Sequence, residues 1–422
     1  MHYLCSTFGS AGDVFPILGL AIELRSRGHR VTLATNGHFE PLAAEYGIPF
    51  EPLGTEEDYQ ANIRDPDLWN PRKAFPHIVA AMKPTLKRQF EVYAEKVHEG
   101  DLVGVTNCLG FGALVAREAL KIPVITLHLQ PSVIWSNYEQ PALPGLFGPR
   151  WLRSILYRIG VRFFIDPAIC PFLNAWRAEL GLPPMSKITR WWHSPSGVIG
   201  MFPEWYAKPQ PDWPGNMVLA DFPLWNHQPS NQLETDVEAF LRAGDAPIVF
   251  TPGSANLFGE NFFAAAVGAC QDLNRRGILL TPHPEQLPAK LPASVAAFRY
   301  VPLDRLLPRA AAFVHHGGIG SMSQGMLAGV PQVLMPLAHD QFDNAERLLK
   351  MKLGDWIGVK KFTAPRLAES LRKLLASRET ADRCRATSQR MQGSQGVRLA
   401  ADALEAMTAG KRQVQSAVQS LQ

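Results

Sequence analysis

The sequence predicts an α/β fold of two facing, Rossmann-like halves, each doubly wound on a parallel sheet, with a cleft between them. Three observations carry it. Residues 2–35, HYLCSTFGSAGDVFPILGLAIELRSRGHRVTLAT, read as strand, GSAGD turn, amphipathic helix and second strand, with Gly28 at the helix C′ position. Residues 314–348 repeat that grammar as strand end, glycine turn, helix, strand and polar loop. A chain of 422 residues is also too long for one ordinary core.

The first half continues with DLVGVT as a strand, a helix over 113–120 and IPVITLHL as the next strand. Between 130 and 223 Pro and Trp become frequent and the alternation lapses; nine of the ten Trp lie between Trp69 and Trp225. Residues 151–165 read as a helix with apolar and basic positions mixed. Residues 226–246 begin loop-like and end in a short helix, which places the domain junction near 226. PIVFTPGS opens the second half, followed by a helix over 262–276, GILLTP and FRYVPL as strands, the glycine-turn unit, and helices over 364–376 and 381–409. The expected domains are 1–226, 227–395, and a carboxyl-terminal helix and tail, 396–422, packing back on the first.

A formal charge of +4 with no long Lys/Arg run argues against nucleic acid as a partner. Five widely spaced cysteines, an odd number, argue against a disulfide framework and a zinc site. The amino terminus has no basic leader, and the uncharged apolar run 102–116 is too short and glycine-rich to span a bilayer, so a soluble cytoplasmic protein is expected.

The chemistry concentrates in residues 315–341. Gly317, Gly318 and Gly320 let backbone N–H groups approach a ligand, and Ser321 opens a helix whose dipole suits a diphosphate. Asp340 and Gln341 follow at the carboxyl end of the next strand, where open parallel sheets keep their ligands. A carboxylate beside a carboxamide matches the hydroxyl edge of a sugar, so turn and pair together propose a nucleotide-sugar site.

Through GSAGDVFP, DPDLWNP, WWHSPSGV, PDWP, FTPGS, HHGGIGSMS and AHDQFDNAERL, the chain resembles family-one glycosyltransferases of the two-domain GT-B type. Among them it resembles the bacterial rhamnosyltransferases that build mono-rhamnolipid from dTDP-rhamnose and a 3-(3-hydroxyalkanoyloxy)alkanoic acid, and more distantly the sterol glucosyltransferases. The resemblance implies an inverting, metal-independent transfer with no cofactor beyond the nucleotide-sugar co-substrate, dTDP-rhamnose or UDP-glucose. It makes His315 the pyrophosphate histidine, with N–H groups from Gly318, Gly320 and Ser321, which stabilise a leaving diphosphate. Ser254 adds a phosphate contact or caps the following helix. Tyr300 takes the place of a Trp stacked on the base, or is an ordinary strand aromatic, and Gly12 and Val301 complete the donor set. Plant relatives carry a ribose-binding Glu eight residues after the histidine; here that position is Ser323, compatible with a deoxyribose donor, and sterol glucosyltransferases, which use UDP-glucose, lack that Glu as well.

Asp340 and Gln341 hold sugar hydroxyls on this reading, with Asn344 helping, against the alternative that Asp340 caps the next helix. Asp13 is the candidate general base, weak at an ordinary pKa of ~3.9 but improved by burial; its alternative is an N-cap. His38, His193, His283 and His316 read as structural or secondary contacts. Trp69, Trp135, Trp151, Phe163 and Trp191 are candidates to line an apolar acceptor tunnel, against ordinary packing. Arg153, Arg158 and Arg162 suit an acceptor carboxylate, a peripheral membrane contact at the inner face or a solvated helix face. A non-catalytic subunit partnering another enzyme is the reading from another class, which retention of Asp13, His315, Asp340 and Gln341 disfavours.

Overall fold

A computed structural model describes residues 1–71, 73–144, 146, 148–225 and 233–419, with side chains through 409. The expected junction at 226 and most of the polar tail lie outside the described residues or side chains. Strands β1 (His2–Ser6), β2 (Arg30–Thr35), β3 (Phe50–Pro52), β4 (Leu102–Asn107), β5 (Val124–His128), β6 (Val198–Gly200) and β7 (Met217–Leu219) form one sheet in the order β3-β2-β1-β4-β5-β6-β7. Strands β8 (Ile248–Thr251), β9 (Gly277–Leu280), β10 (Val295–Phe298), β11 (Ala312–His315), β12 (Gln332–Leu334) and β13 (Gly354–Trp356) form the other, in the order β10-β9-β8-β11-β12-β13.

Every strand pair in both sheets is parallel. Such sheets are covered on both faces, which is why β1 and β4 are buried along their whole length. In each sheet the order reverses beside the first strand, β1 against β4 and β8 against β11, so both switch points open at strand carboxyl ends, where ligands bind.

Six helices matter below: α1 (Ala11–Ser26), α2 (Arg150–Gly160), α3 (Glu260–Leu273), α4 (Ile319–Ala328), α5 (Gln341–Lys350) and α6 (Gly396–Gln419). The helix expected over 151–165 begins at Arg150 and turns π-helical over Val161–Ile165 before an α-helix resumes at Asp166. The strand expected over 298–303 lies earlier, at β10, because Pro302 cannot donate to a ladder and the chain leaves the sheet after Phe298. The helix expected over 381–409 is two, Arg378–Met391 and α6, broken where Gly393 takes φ +78°. Helix α6 packs on the first domain, with Ala400, Ala401 and Leu404 in the core that holds Ile17, Leu20 and Leu24 of α1. Tyr3 and Thr408 hydroxyls lie 3.2 Å apart, and Arg27 pairs with Asp402 at 2.6 Å and Glu405 at 2.8 Å.

Candidate functional site

Helix α1 begins directly after β1, and its first turn is a capping box. Ser10 is the N-cap and Asp13, at N3, accepts from the Ser10 backbone N–H at 3.0 Å and its hydroxyl at 3.5 Å. The expected alternative, Asp13 as N-cap, is thus shifted by three residues. Gly9 makes room for this carboxylate: at φ +139° it has no Cβ, which would sit 2.1 Å from Asp13 Oδ2. Burial first, and the Asp340 charge with it, push the Asp13 carboxyl up to about 7 against the two Ser10 bonds. Tyr59 and Cys108 feel the Asp13 charge and so flank it. Gly12 lies in the same first turn, exposed.

Across the cleft, α4 begins at Ile319 with Gly318 as N-cap, two residues before the start expected at Ser321. Gly317 at φ +94° turns the chain there. His315 is not available to a ligand. Its Nδ1 accepts the Gly317 N–H at 3.1 Å, so its proton is on Nε2, which donates to Gln332 Oε1 at 2.8 Å. The ring is fully enclosed and stacks on Phe313, and burial holds its pKa down at about 3. The expected pyrophosphate contact by His315 is therefore corrected: it is a neutral strut under the turn.

His316 points the other way, as successive strand residues do. A Cβ on Gly318 would lie 2.6 Å from its Nε2, and one on Gly253 3.0 Å from its Cε1, so the ring sits between the turns that follow β11 and β8. Its Nδ1 is buried and has no hydrogen-bond partner among the described residues. Burial, then His339, lowers its pKa to about 4. A Cβ on Gly320 would meet nothing within 4 Å, which leaves open space before the α4 N-terminus. Ser254 is exposed on the β8 turn; α3 begins only at Glu260, so Ser254 does not cap it. Ser323 faces the helix, donating to the Gly320 carbonyl at 2.9 Å.

Asp340 is the N-cap of α5, yet its side chain makes no capping bond. Its Oδ2 accepts from Asn344 Nδ2 at 2.6 Å, and Ile319 N–H at the start of α4 also donates to it. Burial, outweighing these donors, lifts it to about 6. Asn344, expected to help with the sugar, is fully engaged: besides Asp340, its amide donates to the Gly317 carbonyl at 2.9 Å and its oxygen accepts from the Tyr206 hydroxyl at 2.8 Å. The Gln341 oxygen is also committed, to Leu337 and Ala338 N–H at 2.7 and 3.2 Å, which leaves its Nε2 as donor. Tyr300 follows the end of β10, not within a strand, and is 45% exposed, while the Val301 side chain is buried in the second-domain core, leaving only its backbone to a ligand.

The five rings expected to line one tunnel are dispersed. Trp69 reaches across to the second domain, edge-on to His339 at 5.9 Å, with its Nε1 buried and unpartnered among the described residues. His339, itself at φ +59°, is hydrogen-bonded to the Leu68 backbone. Trp191 is tied into the first-domain core, donating to Glu118 at 2.6 Å. Trp151 and Phe163 are each 65% exposed. Trp135 faces a cavity of about 310 Å³, with Asn137, Arg190, His193 and Asp212. Among the histidines set aside, His38 pairs with Glu56 at 2.7 Å and stacks on Tyr59, and His193 bonds His128 at 2.8 Å. Pairing came from elements distant in sequence, which spacing does not reveal. No group of three His, Cys, Asp or Glu side chains among the described residues is placed to hold a metal ion.

Comparison with known proteins decides the class. Residues 3–135 match the glycosyltransferase family 28 N-terminal domain, and residues 276–399 match the family described as erythromycin biosynthesis protein CIII-like, C-terminal domain. The chain is a GT-B glycosyltransferase. Its co-substrate is a nucleotide sugar. This GT-B chain is 28% identical to the O-mycaminosyltylonolide 6-deoxyallosyltransferase of Streptomyces fradiae, covering 94% of this chain and 95% of that protein. A sterol 3-beta-glucosyltransferase of Arabidopsis thaliana is 25% identical, covering 87% of this chain and 62% of its own. Two solved structures share the fold. The glycotransferase of kitacinnamycin has a TM-score of 0.74 and 21% identity, covering 96% of this chain and 98% of its own. The glycosyltransferase VinC in complex with dTDP has 0.71 and 20%, covering 97% and 100%.

Proposed function

We propose that this glycosyltransferase moves a sugar with inversion from a dTDP-sugar, dTDP-rhamnose foremost, to a hydroxyl of a lipophilic acceptor such as a 3-(3-hydroxyalkanoyloxy)alkanoic acid. The observation that carries the mechanism is the pair Asp13 and Asp340, one from each domain, electrostatically coupled across the cleft beside the α4 N-terminus. Asp13, raised to about 7, is matched to accept an acceptor-hydroxyl proton as the C–O bond forms. Asp340 and the Gln341 amide take sugar hydroxyls. The diphosphate leaves toward His316 and the free N–H groups at Gly318, Gly320 and Ser321, with Ser254 on the adjoining turn.

Three things support a thymidine donor. VinC and other fold relatives carry thymidine diphosphate, and the Streptomyces fradiae relative transfers a 6-deoxysugar by its name. The ribose-binding carboxylate of plant relatives is also missing whichever histidine is counted from: eight residues after His315 stands Ser323, and eight after His316 stands Gln324. The likeness to sterol glucosyltransferases favours a second reading, UDP-glucose and a flat aglycone.

The test is a product mass spectrum from purified protein given dTDP-rhamnose, UDP-glucose and a 3-hydroxyacyl acceptor. A rhamnosylated acyl product is expected; a glucosylated product, or none, overturns the assignment. Asp13→Asn should keep donor affinity and lose turnover.

A further inference from the structure

We infer that α2 and the π-helical turn after it form a docking ridge for an anionic lipid bilayer. Tyr138, Trp151, Ile155, Ile159, Phe163 and Phe164 are 45–71% exposed, and they are six of the twelve large apolar side chains left exposed among the described residues. Trp151, Ile155, Ile159 and Phe163 recur every fourth residue, one stripe along the helix. The π turn over Val161–Ile165 then presents Arg162, Phe163 and Phe164 outward in succession. Solvent-facing apolar patches of this kind mark surfaces that something covers.

The charge on the ridge says what covers it. Residues 141–165 contain four arginines and no Asp or Glu; Arg150, Arg158 and Arg162 are exposed on the ridge, Arg153 is half-buried, and Glu139 beside Tyr138 is paired with Arg347 at 3.6 Å. Arg150 lies over the Tyr138 ring, Arg162 over that of Phe163, and Arg158 donates to Asn137 and Ser154; among the described residues none of the four is paired with a carboxylate. A solvent-facing helix with aromatic and aliphatic side chains between cations of one sign complements a negatively charged lipid interface, where the rings enter the headgroup region and the guanidiniums meet phosphates.

The opposite face of the helix gives the docking a purpose. Tyr157 is buried there and its ring lies 5.5 Å from Trp135, which lines the first-domain cavity. A bilayer under α2 would thus lie one helix away from that cavity, and a lipophilic acceptor would not have to cross water. Only this purpose rests on the proposed acceptor class; the docking is read without turnover.

The experiment is co-sedimentation of the full chain with vesicles of phosphatidylcholine alone and of phosphatidylcholine with one-third phosphatidylglycerol. At low salt, partition onto the anionic vesicles is expected to be roughly tenfold higher and to fall as salt rises. Two double variants, Ile159→Ser with Phe164→Ser and Arg158→Glu with Arg162→Glu, should each lose roughly tenfold of that partition with an unchanged melting temperature, since all four side chains are exposed. Equal partition onto both vesicle types, or undiminished binding by both variants, overturns the inference. So does a dimer in light scattering that the first variant turns into monomer, because a second copy would then cover the ridge. Nucleotide release from a dTDP-sugar, followed separately, distinguishes a failure of docking from a failure of the donor reading.

Discussion

Asp13 of the first domain and Asp340 of the second lie close enough across the cleft for the Asp340 charge to raise the Asp13 pKa. Asp340 itself is lifted to about 6, chiefly by burial. If Asp13 is the base it must be ionised, so kcat/KM should rise with pH through about 7 and level off above. Replacing Asp340 with Asn removes the repelling charge, and the acid limb of the residual activity should move to lower pH. A limb that stays in place in a pH–rate profile of this variant would falsify the coupling.

The same shift makes Asp13 a cost to the fold. Its pKa is about 7 in the native state against an ordinary 3.8, so native stability is unaffected below pH 4, declines as pH rises between these values, and is lowest above 7. Asp13→Asn keeps an acceptor for the Ser10 N–H and abolishes the ionisation. It should therefore stabilise the protein at pH 8 by on the order of 2 kcal/mol, after discounting for the partial exposure of the group, and by nothing below pH 4. Urea melts at the two pH values read this out.

His315 and His316 should separate cleanly. His315→Ala opens a void beneath β11 and leaves the Gly317 N–H and Gln332 without their partner, a loss of about 3 kcal/mol in a urea melt. His316→Ala should barely change the melt and should raise the donor KM by roughly tenfold to a hundredfold, the value of one hydrogen bond to a charged group. The reverse pattern would return the phosphate role to His315.

Gly320 offers a steric test. A Cβ there meets no protein atom, and alanine is the better helix former, so Gly320→Ala should raise stability by about 0.5–1 kcal/mol while weakening dTDP binding measured by calorimetry. Gly318→Ala instead places a methyl group against His316 and should weaken both.

The alternation of strands and helices was legible because both sheets are parallel and fully covered, which gives continuous apolar runs such as those of β4, β5 and β8 between clear turn signals. The glycine turn and the Asp340–Gln341 pair were legible for a local reason, since a helix start and a strand end are set by neighbours in sequence. What stayed hidden depends on which way a side chain points. Phe313 and His315 stack on one face of β11, so His316 had to face the other, and the period-two rule applied to FVHH carried that signal. No such rule placed Asn344 between Gly317, Asp340 and Tyr206, or separated Trp135 from Trp151 and Trp191, because those partners come from different elements.

Trp69 makes the last prediction. The segment carrying it is fixed at its root, where Asp65 accepts the Asp67 N–H at 2.8 Å and lies 3.3 Å from His77. Its tip crosses to the second domain, where the Leu68 backbone bonds His339 and the Trp69 ring meets the same imidazole. His339 directly precedes Asp340, so this contact ties the first domain to the backbone that carries the Asp340 carboxylate. Trp69→Ala should therefore loosen donor binding by roughly tenfold, the worth of a buried aromatic contact of about 1.5 kcal/mol. Trp69→Phe, which keeps the ring contact and loses only an Nε1 that has no partner among the described residues, should sit between it and the wild type. Both are read as dTDP affinity by calorimetry, where unchanged affinity in Trp69→Ala would mean that the segment closes on the acceptor alone.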